Sequence, residues 1–235
     1  MRPYIICHMT TSIDGKVTGA FLYKKECEPA IDEYYRLNRE LPAEAFACGR
    51  VTMEESFTGG WYPDLSAFEN AKIKREDYIA DSNASRYAVA FDRQGRLGWK
   101  SSKIEDEDLG YGGAHIIEVL CENAADAYLA YLQSIGVSYV FAGETEMNLE
   151  MALEKLKNKF GINTLLLEGG SEINGAFQRE GLIDELSLVQ APIIADEKSK
   201  LLFAGSVLEN YVLKEVKVLE EGAIWLRYKA DRDER

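Results

Sequence analysis

The stretch 164–177, reading TLLLEGGSEINGAF, does most to limit what this chain can fold into. Its apolar run 165–167 is too short for a helix. It meets a carboxylate, Glu168, and the pair Gly169-Gly170 before the spacing changes to the helical one of Ile173, Phe177 and Leu182. That is a strand, a tight turn and a helix N-terminus. Residues without Cβ let a ligand approach the backbone, and the first turn of a helix offers N–H groups with no carbonyl of their own helix to bond. An anionic ligand is expected there; the plainer reading is a strand-to-helix turn that holds nothing.

The residues before this stretch alternate in the same way. Strands are predicted at 115–120 and 137–142, with helices at 124–134, closed by Gly136, and 149–160, closed by Gly161. Such β-α-β-α-β-α order argues for a mostly parallel sheet covered by helices on both faces, with ligands beyond the strand C-termini. In the first half, strands are predicted at 4–9, 45–48 and 87–91. A helix at 31–41 carries Tyr34, Leu37 and Leu41 on one face, with Pro29 and Asp32 marking its start, and another at 51–57 follows Gly49. Residues 58–85 hold turn formers and isolated aromatics with little periodicity, so they read as a long excursion. A strand at 186–194 and a terminal antiparallel hairpin, 211–219 and 223–229 about Glu220-Glu221-Gly222, complete the chain.

The 235 residues, 46% hydrophobic with five Pro, suffice for one sizeable core, and a single domain over 1–235 is expected. The balance of 27 basic against 40 acidic residues, net −13, opposes attraction to nucleic acid or anionic membranes, so local groups must hold any phosphate. No run of about 18 apolar residues occurs, and residues 1–7 are too short for a signal-peptide apolar region. A soluble, cytoplasmic protein is expected. Cys7, Cys27, Cys48 and Cys121 are scattered and the His are only His8 and His115, which predicts no metal site and four free thiols. Cys7 and His8, adjacent on a strand, point to opposite faces and read as core rather than as nucleophile and base. No Gly-x-Gly-x-x-Gly follows the first strand, against a Rossmann dehydrogenase.

Several segments together resemble one family. Leu166-Leu167-Glu168-Gly169-Gly170 with Asn174, then Gly181-Leu182-Ile183-Asp184-Glu185-Leu186 and Ala191-Pro192, resemble the reductase domain of bacterial riboflavin biosynthesis. Met9-Thr10-Thr11-Ser12-Ile13-Asp14-Gly15-Lys16 resembles that family's first-strand motif, and Val89 to Leu97 its mid-chain strand and polar turn. Gly49-Arg50-Val51-Thr52 resembles a stretch of dihydrofolate reductase, which shares the fold. The resemblance implies a dihydrofolate-reductase-like three-layer α/β fold, NADPH as hydride donor, a small-molecule acceptor and a homodimer. The implied acceptor is 5-amino-6-(5-phosphoribosylamino)uracil, whose ribose becomes ribitol.

Carried onto this chain, the resemblance makes Gly169, Gly170, Ser171, Glu172, Ile173 and Asn174 the pyrophosphate cradle. Thr52, beside Gly49, is a second phosphate contact or an ordinary helix-start residue. Arg50 and Arg93 are candidates for the 2′-phosphate, since a guanidinium fork matches phosphate oxygens; a solvated turn residue is the other reading of each. Thr10 is placed beside the nicotinamide carboxamide. Asp14, Lys16 and Glu168 are the acid/base and substrate candidates, with Asp14-Gly15 open also as a turn signal. Arg39 matches a substrate Arg only if one extra residue is allowed before Ala45.

The chain departs from the pattern mainly around substrate. Ser56 stands where the family has Asp, the family's Asp-Pro segment and substrate Arg have no match in 57–63, and the Trp before the first helix is replaced within 24–27. The aromatics Phe57, Trp61, Tyr62, Phe68 and Tyr78 either cover a planar heterocycle, pack a dimer interface or pin the long loop. Two other functions stay open. One is a dihydrofolate or pteridine reductase, with Asp32 or Glu33 facing the ring instead of capping the helix. The other is a noncatalytic NADPH-binding module.

Overall fold

The computed structural model describes residues 1–232, so the last three residues of the expected 1–235 domain lie outside the described residues. In chain order the elements are β1 (Tyr4–Thr11), α1 (Glu28–Glu40), β2 (Ala45–Gly49), α2 (Arg50–Met53), β3 (Tyr87–Phe91), β4 (His115–Leu120) and α3 (Asp126–Ser134). They continue with β5 (Ser138–Phe141), α4 (Leu149–Phe160), β6 (Thr164–Leu167), α5 (Ser171–Arg179), β7 (Glu185–Gln190), β8 (Tyr211–Val218) and β9 (Ile224–Ala230). Each predicted strand and helix is present, with ends that differ by a few residues. The chain forms two compact units, one of residues 1–3 and 43–165, the other of residues 4–42 and 166 onward.

In the unit containing 43–165 the strand order is β5-β4-β3-β2, every pairing parallel. β3 and β4 are buried along their whole length, as strands covered on both faces must be, and they read as unbroken apolar runs except for His115 and Glu118. Tyr87, Tyr128, Tyr139, Phe46, Ile116 and Ile117 are fully buried; each such side chain contributes roughly 1.5–3 kcal/mol through burial. α4 shows why the sequence folds locally as it does. Asn148 caps it by accepting from Met151 N at 2.9 Å, Leu149, Ala152, Leu153, Leu156 and Phe160 form its buried stripe, and Gly161 ends it at φ +70°.

The predicted helix 51–57 is helical in two ways: after the single turn of α2 the backbone widens into a π-helical turn, Glu54–Thr58, which Gly59 ends in the left-handed region. Residues 58–85 contain one short 3₁₀ turn, Ser66–Phe68, in agreement with the expected excursion. Ring contacts hold this segment down within its own unit: Phe57 on Phe46 and Tyr111, Tyr62 stacked on Tyr128, Phe68 on Tyr131 and Tyr78 on Tyr139. Of the three readings of these aromatics, the pinned loop is the one visible in these contacts.

In the other unit the order is β6-β1-β7-β9-β8. β1 and β7 are parallel, and β7-β9-β8 closes with the expected antiparallel hairpin. β7 stops at Gln190 rather than running to 194, because Pro192 has no N–H to continue a ladder and Ile193 N turns back to Ala191 O. α1 starts with Pro29 in its first turn and packs Ala30 and Leu37 into a cluster with Phe21, Cys27, Val189, Ala191, Ala223 and Trp225. All four Cys are buried and free. Among the described residues no helix is long and apolar enough to cross a membrane.

Candidate functional site

The glycine pair stands where the sequence places it, between the end of β6 and the start of α5. Gly169 has φ +97°, and the Gly169–Gly170 peptide is cis. Gly170 enters α5 in an extended conformation with no side-chain cap, which leaves the first-turn N–H groups to be met by something other than a capping residue. A Cβ on Gly169 would lie 3.2 Å from Met9 Cε and 3.8 Å from Asn174 Nδ2, so β1, the glycine turn and α5 meet closely at this point.

Two polar side chains there are buried without a partner. Asn174 is fully buried, and neither its Oδ1 nor its Nδ2 has a hydrogen bond; Thr10 Oγ1 on β1 is in the same condition. An unpaired buried amide costs about 1–3 kcal/mol, so such groups are exceptional. A bare glycine backbone, first-turn amides with no side-chain cap, and spare donors and acceptors on Asn174 and Thr10 together fit the phosphates and carboxamide of a dinucleotide.

Glu168, the residue before the glycines, is buried, and Asn38 Nδ2 donates to its Oε1 at 2.6 Å. Cys7 lies close by; burial first and the charge of Glu168 second push its thiol pKa far up, so it is inert at neutral pH. Asn38 is absent from the sequence-based candidates. Its signal was a polar residue next to Leu37 on the buried face of α1, between Tyr34 and Leu41. Arg39, the candidate next to it, is exposed.

Asp14 and Lys16 lie in the turn after β1. Asp14 Oδ1 accepts from Ser12 Oγ at 2.7 Å and from Ala195 N at 3.0 Å, and these bonds hold its carboxyl below the usual range. Lys16 Nζ donates to Ser199 O at 3.1 Å. Both therefore tie the turn to the 193–202 segment, which also pairs by backbone through Val17 N to Lys200 O. Ser171, Glu172 and Ile173 form the first turn of α5.

The unit containing 43–165 carries the remaining candidates. Gly49 is the extended residue that leads into α2, Thr52 lies half-buried on that helix, and Arg50 pairs with Glu54 at 2.5 Å. Arg93 meets both oxygens of Glu146 at 2.7 Å in an exposed fork. Asp92 anchors the turn after β3 by accepting from the amides of Arg96 and Leu97; burial raises its pKa, against the opposing pull of those amides and of Arg50.

The family model described as the RibD C-terminal domain matches residues 3–225. The chain belongs to that family. Among its members, the 2,5-diamino-6-ribosylamino-4(3H)-pyrimidinone 5′-phosphate reductase of Methanothermobacter thermautotrophicus is 28% identical over 195 residues, covering 83% of this chain and 80% of that one. The reductase of the same name from Archaeoglobus fulgidus is 23% identical over 226 residues, 94% and 96% of the two chains. A pyrimidine reductase-like protein from Corynebacterium diphtheriae has the same fold, with a TM-score of 0.69 at 18% identity over 98% of this chain and 93% of that one. The resemblance read from Glu168-Gly169-Gly170 and the later motifs thus holds for the RibD C-terminal domain as a whole, since the match begins before β1 and ends inside β9.

Proposed function

We propose that this protein is an NADPH-dependent reductase that converts the ribose of a ribosylamino-pyrimidine phosphate to ribitol. The acceptor is the 2,5-diamino-pyrimidinone that names its relatives, with the deaminated uracil analogue as the second choice. The observation that carries this reading is the wholly buried, unpartnered amide of Asn174 beside the glycine turn. The protein leaves that amide for a ligand.

In this reading Gly169, Gly170, the amides of Ser171, Glu172 and Ile173 and the side chain of Asn174 bind the pyrophosphate, and Thr10 orients the carboxamide. Gly49 and Thr52 supply a further phosphate contact. Arg50 and Arg93 recognise the 2′-phosphate, exchanging the carboxylates of Glu54 and Glu146 for it. NADPH supplies the hydride when bound. Glu168 accepts hydroxyls of the sugar chain, Arg39 meets the substrate phosphate, and Asp14 with Lys16 sets the polar environment in which the reduced oxygen or nitrogen gains its proton. Residues 1–235 act as one reductase domain, as a cytoplasmic homodimer.

The pteridine alternative loses support at Glu33, which is engaged by Arg36 at 2.7 Å and Lys217 at 3.1 Å. The test is NADPH oxidation by the purified protein with each pyrimidine and, separately, with dihydrofolate. Turnover of a pyrimidine that collapses in Glu168→Gln supports the proposal; turnover of dihydrofolate alone replaces it with a pteridine reductase. NADPH binding with no acceptor turned over leaves a noncatalytic module.

A further inference from the structure

We infer that Asn38 is a positioning residue, which aims the Glu168 carboxylate at the sugar hydroxyls of the acceptor; this rests on the reading of Glu168 given above. A buried carboxylate is stable in its charged form only with donors around it, and without them it takes up a proton instead. Asn38 supplies such a donor at 2.6 Å. Asn38 is itself fully buried on α1, so its amide is fixed by packing as well as by the bond.

The geometry has a chemical consequence. A carboxylate oxygen that accepts from a fixed amide has its orientation set, and each carboxylate oxygen has more than one lone-pair direction. An ionised carboxylate in a set orientation is what binds neighbouring hydroxyls of an open sugar chain, since hydroxyls donate to it and a protonated acid would compete as a donor. The residue also has a location that a purely structural amide does not need: its partner directly precedes the glycine turn, and the following residue is the candidate Arg39. The contact of Asn38 with this turn runs through Glu168.

The experiment is a double-mutant cycle on the full-length protein, read as kcat and KM for the pyrimidine and as NADPH affinity by fluorescence titration. Glu168→Gln lowers kcat/KM at least 100-fold. Asn38→Leu, close in volume, raises KM for the pyrimidine about 10-fold and leaves the NADPH dissociation constant within twofold. The pair Asn38→Leu with Glu168→Gln is no worse than Glu168→Gln alone, because Asn38 acts through that carboxylate. Additive losses in the double variant, or wild-type KM in Asn38→Leu, overturn the inference while Glu168 keeps its role. Full activity of Glu168→Gln, or no turnover by the native protein, overturns the underlying reading and the inference with it. If Asn38→Leu is insoluble, Asn38→Ala, which also removes the donor, is carried through the same cycle with the same outcomes.

Discussion

The hydroxyl of Ser187 on β7 donates to Nδ1 of His8 on β1 across 3.0 Å. The direction follows from the far side of the ring: the carbonyl of Tyr34 on α1, 3.0 Å from Nε2, can only accept, so Nε2 carries the proton of the neutral imidazole and Nδ1 is left as the acceptor. Ser187 Oγ in turn accepts from Trp225 Nε1 on β9 at 2.9 Å, and the Ser187 carbonyl lies 3.3 Å from the same Nδ1. One neutral imidazole thus links β9, β7, β1 and α1, stacked on the Tyr34 ring at 4.5 Å.

That arrangement predicts acid sensitivity. Burial pushes His8 from 6.5 down to about 4, against the smaller upward pull of the backbone carbonyls it meets. Between those values the unfolded chain binds a proton that the folded chain refuses, so stability falls as pH drops from 6.5 to 4, by about 3 kcal/mol. Urea unfolding at pH 7 and pH 4.5 measures the loss, and His8→Gln removes most of the difference. An equal slope in that variant would place the sensitivity elsewhere.

Glu118 predicts the opposite slope. Burial, and then the charge of Asp92, raise its pKa well above the ordinary value despite hydrogen bonds from Trp99 and Tyr128. The folded state holds a proton that the unfolded state releases once pH exceeds the normal carboxylate range. Stability from this group is therefore lost as pH rises from that range toward the raised folded pKa. Glu118→Gln keeps an acceptor for Trp99 and abolishes the penalty, so its thermal midpoint should exceed the native one at pH 8 and approach it at pH 4. A lower midpoint at pH 8 would contradict the neutral-acid assignment.

At the glycine turn, stability and affinity should part company. Asn174→Ala removes a buried amide that has no partner, so the fold should lose no more than about 1 kcal/mol, while NADPH binding weakens at least tenfold. Gly169→Ala puts a Cβ at φ +97° within 3.2 Å of Met9 Cε and should cost about 1–3 kcal/mol together with cofactor affinity. Thermal melts beside fluorescence titrations decide it; unchanged NADPH affinity in Asn174→Ala would remove the main support for the cofactor site.

Arg50→Ala and Arg93→Ala should each weaken NADPH binding by about 1.5–3 kcal/mol, the range of a charge-assisted hydrogen bond, and leave NADH binding nearly as it is. Arg93 already forms an exposed ion pair and Arg50 a half-buried one, each of small net value, so stability should change little. Parallel titrations with the two nucleotides provide the comparison.

Much of this was readable from the chain. The short apolar runs, the closing Gly136 and Gly161, and the 3.6 period before Phe160 located strands and helices because local rules and tertiary packing agree there. The family motifs located Glu168 and the glycines. Part of what escaped was set by distance in sequence. Asn38 is an unremarkable helix residue until α1 brings it to Glu168, 130 positions away. The pinning of Asp14 depends on Ala195, 181 positions away, and β7 ends early through Pro192, whose effect on a strand end is local but easily overridden. The π-helical turn at 54–58 has no pattern of its own and continues the helical spacing before it.

The backbone of Ala204 grips α5 twice. Its N–H bonds to Ser171 O at 3.0 Å, and its carbonyl occupies the space that a Cβ at Gly175 would fill, 2.0 Å from that position. The helix that begins at the glycine turn is therefore seated by main-chain atoms. The side chain at 204 itself can vary without loosening that grip, whereas gain or loss of a single residue there would slide the grip along the helix and carry the glycine turn out of place.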